Sequence, residues 1–107
     1  MTQNVPFDDI LAALSEPVRR QLLDAIANRG EVTATVLAMS FDISRQGIMK
    51  HLAVLERAGL VTSRRIGREV LYRIRPEYLT ETAKWLAGLA DRWGQRLEMI
   101  RKIAEES

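Results

Sequence analysis

Apolar residues along this 107-residue chain recur at steps of three and four in five stretches and alternate in two. The first pattern marks amphipathic helices and the second marks half-buried strands. Phe7, Ile10, Leu11 and Leu14 define one face of a helix over 7–14, after a loose lead-in over 1–6. Ser15-Glu16-Pro17 restarts the chain. Ser15 is placed to cap a second helix, with Pro17 in the first turn, where a missing N–H does no harm. That helix carries Val18, Leu22, Leu23 and Ile26 and ends near Asn28-Arg29-Gly30. Glu31–Phe41 reads as a third helix with Val36, Leu37 and Phe41 inward, although the β-branched pair Val32-Thr33 also suits a short strand.

The turn Phe41-Asp42-Ile43 leads into a fourth helix over about 44–57, with Ile48, Leu52 and Leu55 on its inner face. Ser44 can cap it by accepting an N–H from Gln46 or Gly47. Gly47 removes the reciprocal half of a capping box and weakens the first turn by about 0.5–1 kcal/mol relative to alanine. Gly59 suits a left-handed C-cap. From about 60 to 75, Val61, Ser63 and Arg65 alternate with Thr62 and Arg64, while Val70, Tyr72 and Ile74 alternate with Leu71, Arg73 and Arg75. Gly67 between them predicts a hairpin. Pro76 closes it, and a long helix over 77–105 follows, with Leu79, Ala83, Leu86, Leu89, Ala90, Trp93, Leu97 and Ile100 in one stripe that Trp85 widens. A helix running past a compact body needs cover, and a second copy of the chain is the cheapest answer. The expected fold is mainly α with a small β-hairpin, in one domain over 1–107. The third and fourth helices form a helix-turn-helix, and the hairpin is its wing.

Composition narrows the function. Hydrophobic content of 47% and charged content of 28% belong to an ordinary globular domain, and a chain of this length buries a modest core. Without cysteine there is no disulfide, thiolate catalyst or sulfur-ligated metal. A single histidine, the lack of a Gly-rich phosphate loop and the lack of a convergent carboxylate pair argue against an enzyme. MTQNVPFDDI has neither the basic start nor the apolar run of a signal peptide, and no apolar run is long enough to span a bilayer, so a cytoplasmic protein without membrane contact is expected. The net charge of +2 says little, but six arginines (57, 64, 65, 68, 73 and 75) face one acid, Glu69, between Arg57 and Arg75. That asymmetry is a directed basic patch of the kind that attracts a phosphate backbone.

A helix with a bare polar face joined to a basic hairpin predicts double-stranded DNA as the partner. Arg45 and Gln46, on the first exposed turn, are the base-edge candidates, with phosphate as the other option for Arg45. Lys50, one turn later, suits the backbone. Ser44 is foremost a cap, and its hydroxyl also suits a phosphate. His51 has three open roles: a phosphate contact, a packed residue beside Leu52, or a metal ligand, the last disfavoured for want of a second histidine or a cysteine. Arg64, Arg65 and Arg68 supply the wing's charge, with Arg68 near enough to the tip for a minor groove. Arg73 and Arg75 can instead pair with the body. Tyr72 reads as wing core, and Trp85 and Trp93 as core or interface. A protein-binding winged helix using Met49, Ala53 and Val54 is the alternative. RNA binding is weaker still, because no aromatic residues interleave the basic ones.

The segments ALSEPVRRQLLDAI (Ala13–Ile26) and ISRQGIMKHLAVLERAGLVTSRRIGREVLYRIRP (Ile43–Pro76), with the late tryptophan-bearing helix, resemble the ArsR/SmtB family of bacterial winged-helix repressors. The signature S-x-x-x-x-x-K-H-L-x-x-L-x-x-A-G-L-V from Ser44 to Val61 is specific to that family. The resemblance implies a homodimeric repressor on a palindromic operator, with the fourth helix as recognition helix. It places the first and last helices in the dimer interface through Phe7, Ile10, Leu11, Leu79, Trp85, Leu86, Leu89, Trp93, Leu97 and Ile100. Met49 stands where relatives commonly have a small polar residue, which implies an apolar base contact such as a thymine methyl. Metal-sensing members carry cysteines before the recognition helix, where this chain has Val32–Ala38, or paired Asp/His and His/Glu ligands on the last helix, where it has Asp91 and Glu98 without histidine. The resemblance is therefore to a metal-independent subgroup, with no cofactor and with a small-molecule effector left open.

Overall fold

A computed structural model describes residues 4–106, so part of the lead-in lies outside it. Its described part is not wholly loose, since Val5 packs against the core and its carbonyl accepts from Phe7 N. Five helices and one hairpin follow: α1 Phe7–Leu14, α2 Pro17–Arg29, α3 Ala34–Ser40, α4 Arg45–Arg57, β1 Val61–Ile66, β2 Glu69–Ile74 and α5 Glu77–Glu106. The centre is held by Ile10, Leu22, Ile26, Leu37, Ile48, Leu52, Leu55, Leu60 and Val61, all fully buried.

Two expected boundaries move. Ser15 does not cap α2. It sits in helical geometry at the end of α1 and its hydroxyl donates to Ala12 O at 2.6 Å, while extended Glu16 starts α2 without a side-chain cap. Serine at a helix end satisfies whichever backbone group is within reach, here a carbonyl of the last turn. The third helix starts at Ala34 rather than Glu31. Thr33 Oγ1 accepts from Val36 N at 3.2 Å as the N-cap, and Val32 pairs with Tyr72 through both its N–H and its carbonyl. The β-branched pair thus splits its roles, one residue adding a bridge to the sheet and the next opening a helix.

Ser44 caps α4 by accepting from Gly47 N at 3.1 Å. Gly47 has a steric reason to be there as well: a Cβ would lie 2.6 Å from Ile43 Cγ2, so a side chain there would force Ile43 to shift. Gly59, at φ 79°, ends the helix in the left-handed region, and a Cβ there would strike the Tyr78 ring. The hairpin pairs Val61 with Ile74, Ser63 with Tyr72 and Arg65 with Val70 on one face. Thr62 with Arg73 and Arg64 with Leu71 lie on the other.

The first turns of α5 pack on the body. Thr82 is buried with its hydroxyl donating to Tyr78 O, and Trp85 stacks on Phe7 at 4.7 Å between ring centroids. From Ala90 to Glu106 every residue is exposed, and the chain measures 70 Å along its longest axis.

Candidate nucleic-acid interface

Burial of Ile48, Leu52 and Leu55 fixes which way α4 faces, and helical spacing then puts Arg45, Gln46, Met49, Lys50 and Ala53 on its open side. Arg45 is partly anchored, its Nε donating to Thr35 Oγ1 at 3.1 Å, which holds the guanidinium against the start of α3. Met49 is 41% exposed. Apolar exposure on this face stops at Met49 and Ala53, with charged neighbours around them. The hairpin tip stands across from this turn, so that Arg45, Met49, Arg68 and Tyr72 line one cleft of about 290 Å³. Burial pushes the Tyr72 hydroxyl's pKa up, the charge of Glu56 adds to that, and Arg45 opposes it.

The three wing arginines do not act as one group. Arg64 lies on the opposite face from Arg65 and grips Glu31 through Nε and Nη2, both at 2.7 Å. Those hydrogen bonds hold the Glu31 carboxyl below its ordinary value against desolvation, the charges of Arg64 and Arg73 adding to the lowering, and they raise Arg64. Arg65 Nε donates to Gly67 O at 3.2 Å and braces the turn. Arg68 is exposed at the tip. Of the other three arginines in the run, Arg75 lies 3.9 Å from Glu77, two residues on, and over the Tyr78 ring.

His51 is half-buried and its Nδ1 lies 3.4 Å from Arg19 Nη1. With a guanidinium as the donor, Nδ1 is assigned as the acceptor. Arg19 belongs to no apolar periodicity in the sequence. Its Nε donates to Ala13 O at 2.7 Å and its Nη2 to Ala12 O at 3.2 Å, while Arg20 Nη1 donates to Leu14 O at 2.6 Å. The paired arginines of the ALSEPVRR segment thus satisfy the open carbonyls of α1, favourable on charge grounds too. Arg19 in addition ties α1 to the recognition helix. The signal was present as two adjacent cations, each six residues after a carbonyl it binds.

Of the residues expected on the first and last helices, Ile10 is the correction. It is 0% exposed within its own chain and offers a second copy no surface. Phe7 and Trp85 face each other, and Leu79 and Leu89 are half-buried. Leu11, Leu86, Trp93 (59% exposed), Leu97 (67%) and Ile100 (57%) lie open, as does Ile103, which the sequence reading omitted. The hydroxyls of Thr33 and Thr35 are engaged by Val36 N and Arg45 Nε, and the sequence of α5 contains no histidine. No helix among the described residues is long and apolar enough to cross a membrane.

A capped recognition helix, an antiparallel wing and a cleft between them define a winged helix-turn-helix DNA-binding protein. A family model described as a helix-turn-helix domain matches residues 14–64. The transcriptional repressor SdpR of Bacillus subtilis is 30% identical over 79 residues, covering 74% of this chain and 87% of that protein. An uncharacterized HTH-type transcriptional regulator of the same organism, YuzN, is 44% identical over 73 residues, covering 63% and 76%. Among solved structures, an ArsR-like transcriptional regulator from Rhodococcus sp. RHA1 superposes with a TM-score of 0.88 at 38% identity, covering 94% of this chain and 92% of that one. The chain belongs to the ArsR/SmtB family of DNA-binding transcriptional regulators, which are not enzymes.

Proposed function

We propose that this regulator is a cytoplasmic homodimeric repressor that reads a palindromic operator and responds to no metal. The observation that carries the reading is the division of exposed surface. Arg45, Gln46, Met49 and Lys50 lie open on α4 beside the wing tip, and an apolar stripe lies open on the far half of α5. In this reading Arg45 and Gln46 contact base edges, Met49 packs on a thymine methyl, and Lys50 and the capped Ser44 terminus engage phosphate. Arg68 and Arg65 brace the wing on the backbone, and His51 positions the helix through Arg19 rather than reading DNA. Two copies joined through Leu11, Leu86, Trp93, Leu97 and Ile100 would present two recognition helices to two half-sites, as a palindrome requires. The donor chemistry supports a control other than metal.

Selection of random duplexes on the purified protein tests all of this at once. Enrichment of an inverted repeat with half-sites about one helical turn apart is expected. Enrichment of a single unrepeated site would sink the dimeric reading, and no enrichment at all would sink sequence-specific recognition.

A further inference from the structure

We infer that the cleft between α4 and the wing binds a small organic monoanion, an apolar body carrying one carboxylate, and that this ligand competes with DNA. The cleft joins two kinds of surface. Met49, Val70 and the Tyr72 ring give it an apolar part of its lining, beside Thr33 and Thr35, and Arg45 and Arg68 line it against one acid, Glu69. A DNA phosphate gains from the cations but has no use for the apolar lining. An amphipathic anion uses both, which is the usual make-up of a small-molecule site: apolar walls with a few placed polar groups. The two guanidiniums and the Glu69 carboxylate leave a single net positive charge, which suits one carboxylate and disfavours two. At about 290 Å³ the cleft stands at the low end of ligand pockets, so the body is one ring system or a short branched chain.

The site is also partly pre-formed. The Nε of Arg45 is held on Thr35 Oγ1 at 3.1 Å, leaving the terminal nitrogens of its fork for a carboxylate. Met49 can adapt to the shape of the apolar body. Competition follows because the ligand would occupy Arg45, Met49 and Arg68, and that clause rests on the proposed reading of α4 and the wing as the DNA surface.

Backbone amide NMR of the full chain, titrated with benzoate, indole-3-acetate and 4-methylpentanoate and with the primary amide of each, tests the site without DNA. At least one carboxylate should give saturable shifts confined to residues 33–36, 45–49 and 68–72, with its amide binding about tenfold weaker or worse. Arg68→Ala should weaken the carboxylate by about the same factor while leaving the amides of α1, α2 and α5 unmoved. Equal binding of acid and amide, shifts centred on α5, or no saturable shift across the series would overturn the site. A second arm adds the bound carboxylate to the protein with a duplex from the selection. A rise of about tenfold or more in the duplex Kd supports competition, and an unchanged Kd at saturating carboxylate overturns it. If no duplex is ever selected, the proposed function fails while the first arm still decides the site.

Discussion

Helices α4 and α5 carry the same apolar periodicity and leave opposite faces uncovered. In α4 the apolar face is consumed by the chain's own core, with Ile48, Leu52 and Leu55 fully buried, and the polar face is bare. In α5 the stripe that begins on the body at Leu79 and Thr82 runs on through Trp93, Leu97 and Ile100, which are more than half exposed. A bare polar face is satisfied by water until phosphates displace it. A bare apolar face costs about 25 cal/mol for each Å² left in water, and therefore drives association. On the proposed reading, one helix is exposed in order to read, and the other in order to assemble.

Charging the α5 stripe should break the comparison most severely. Leu97→Glu with Ile100→Glu is expected to give a folded protomer by light scattering, with unchanged far-ultraviolet circular dichroism. Its affinity for a two-half-site duplex should fall by about 10²–10⁴, the avidity of the second half-site. A variant that remains dimeric would mean that the stripe is not the joint. On α4, Leu52→Ala should cost about 2–5 kcal/mol in urea unfolding, because its side chain has no surface to lose and leaves a cavity instead. The open side of the same helix should respond in specificity rather than stability. Arg45→Ala and Gln46→Ala should each lose about 1–3 kcal/mol on the selected duplex and far less on a scrambled one. Equal losses on both duplexes would remove Arg45 from base reading.

The wing offers a finer contrast. Arg68→Ala should weaken binding to all duplexes and lower the salt slope by about one, whereas Arg64→Ala should leave that slope alone, its charge being held by Glu31. The smallest effect belongs to Glu31→Gln. Because the folded carboxyl titrates below its ordinary value, its contribution is present above the usual carboxylate range and disappears as pH falls through the depressed value. Wild type and variant should therefore differ slightly in stability at neutral pH and converge in acid. A difference that persists in acid would mean that something other than this ion pair had been lost.

Much of this architecture was legible because each element announces itself locally. The α4 cap at Ser44, the turn at Gly67 and the long stripe of α5 need only their neighbours in sequence. What the sequence left open depended on partners distant in the chain. The face carrying Ile10 reads the same whether its own core or a second copy covers it, and the core covers it. Arg64 looked as available as Arg68 until Glu31, 33 residues away, proved to hold it. Likewise the doubled arginine at 19 and 20 carries no periodic signal, since a capping cation is defined by the carbonyls it reaches. His51, ambiguous among three roles in the sequence, stands 3.4 Å from that same Arg19.

The projecting half of α5 has a consequence for how this molecule diffuses. Its radius of gyration is 18.9 Å, against about 13 Å for a compact chain of this length. By that measure a lone protomer has the girth of a compact protein roughly two and a half times its size. Migration through a porous matrix would therefore overstate the mass of a protomer, and only a measurement of mass can count the copies.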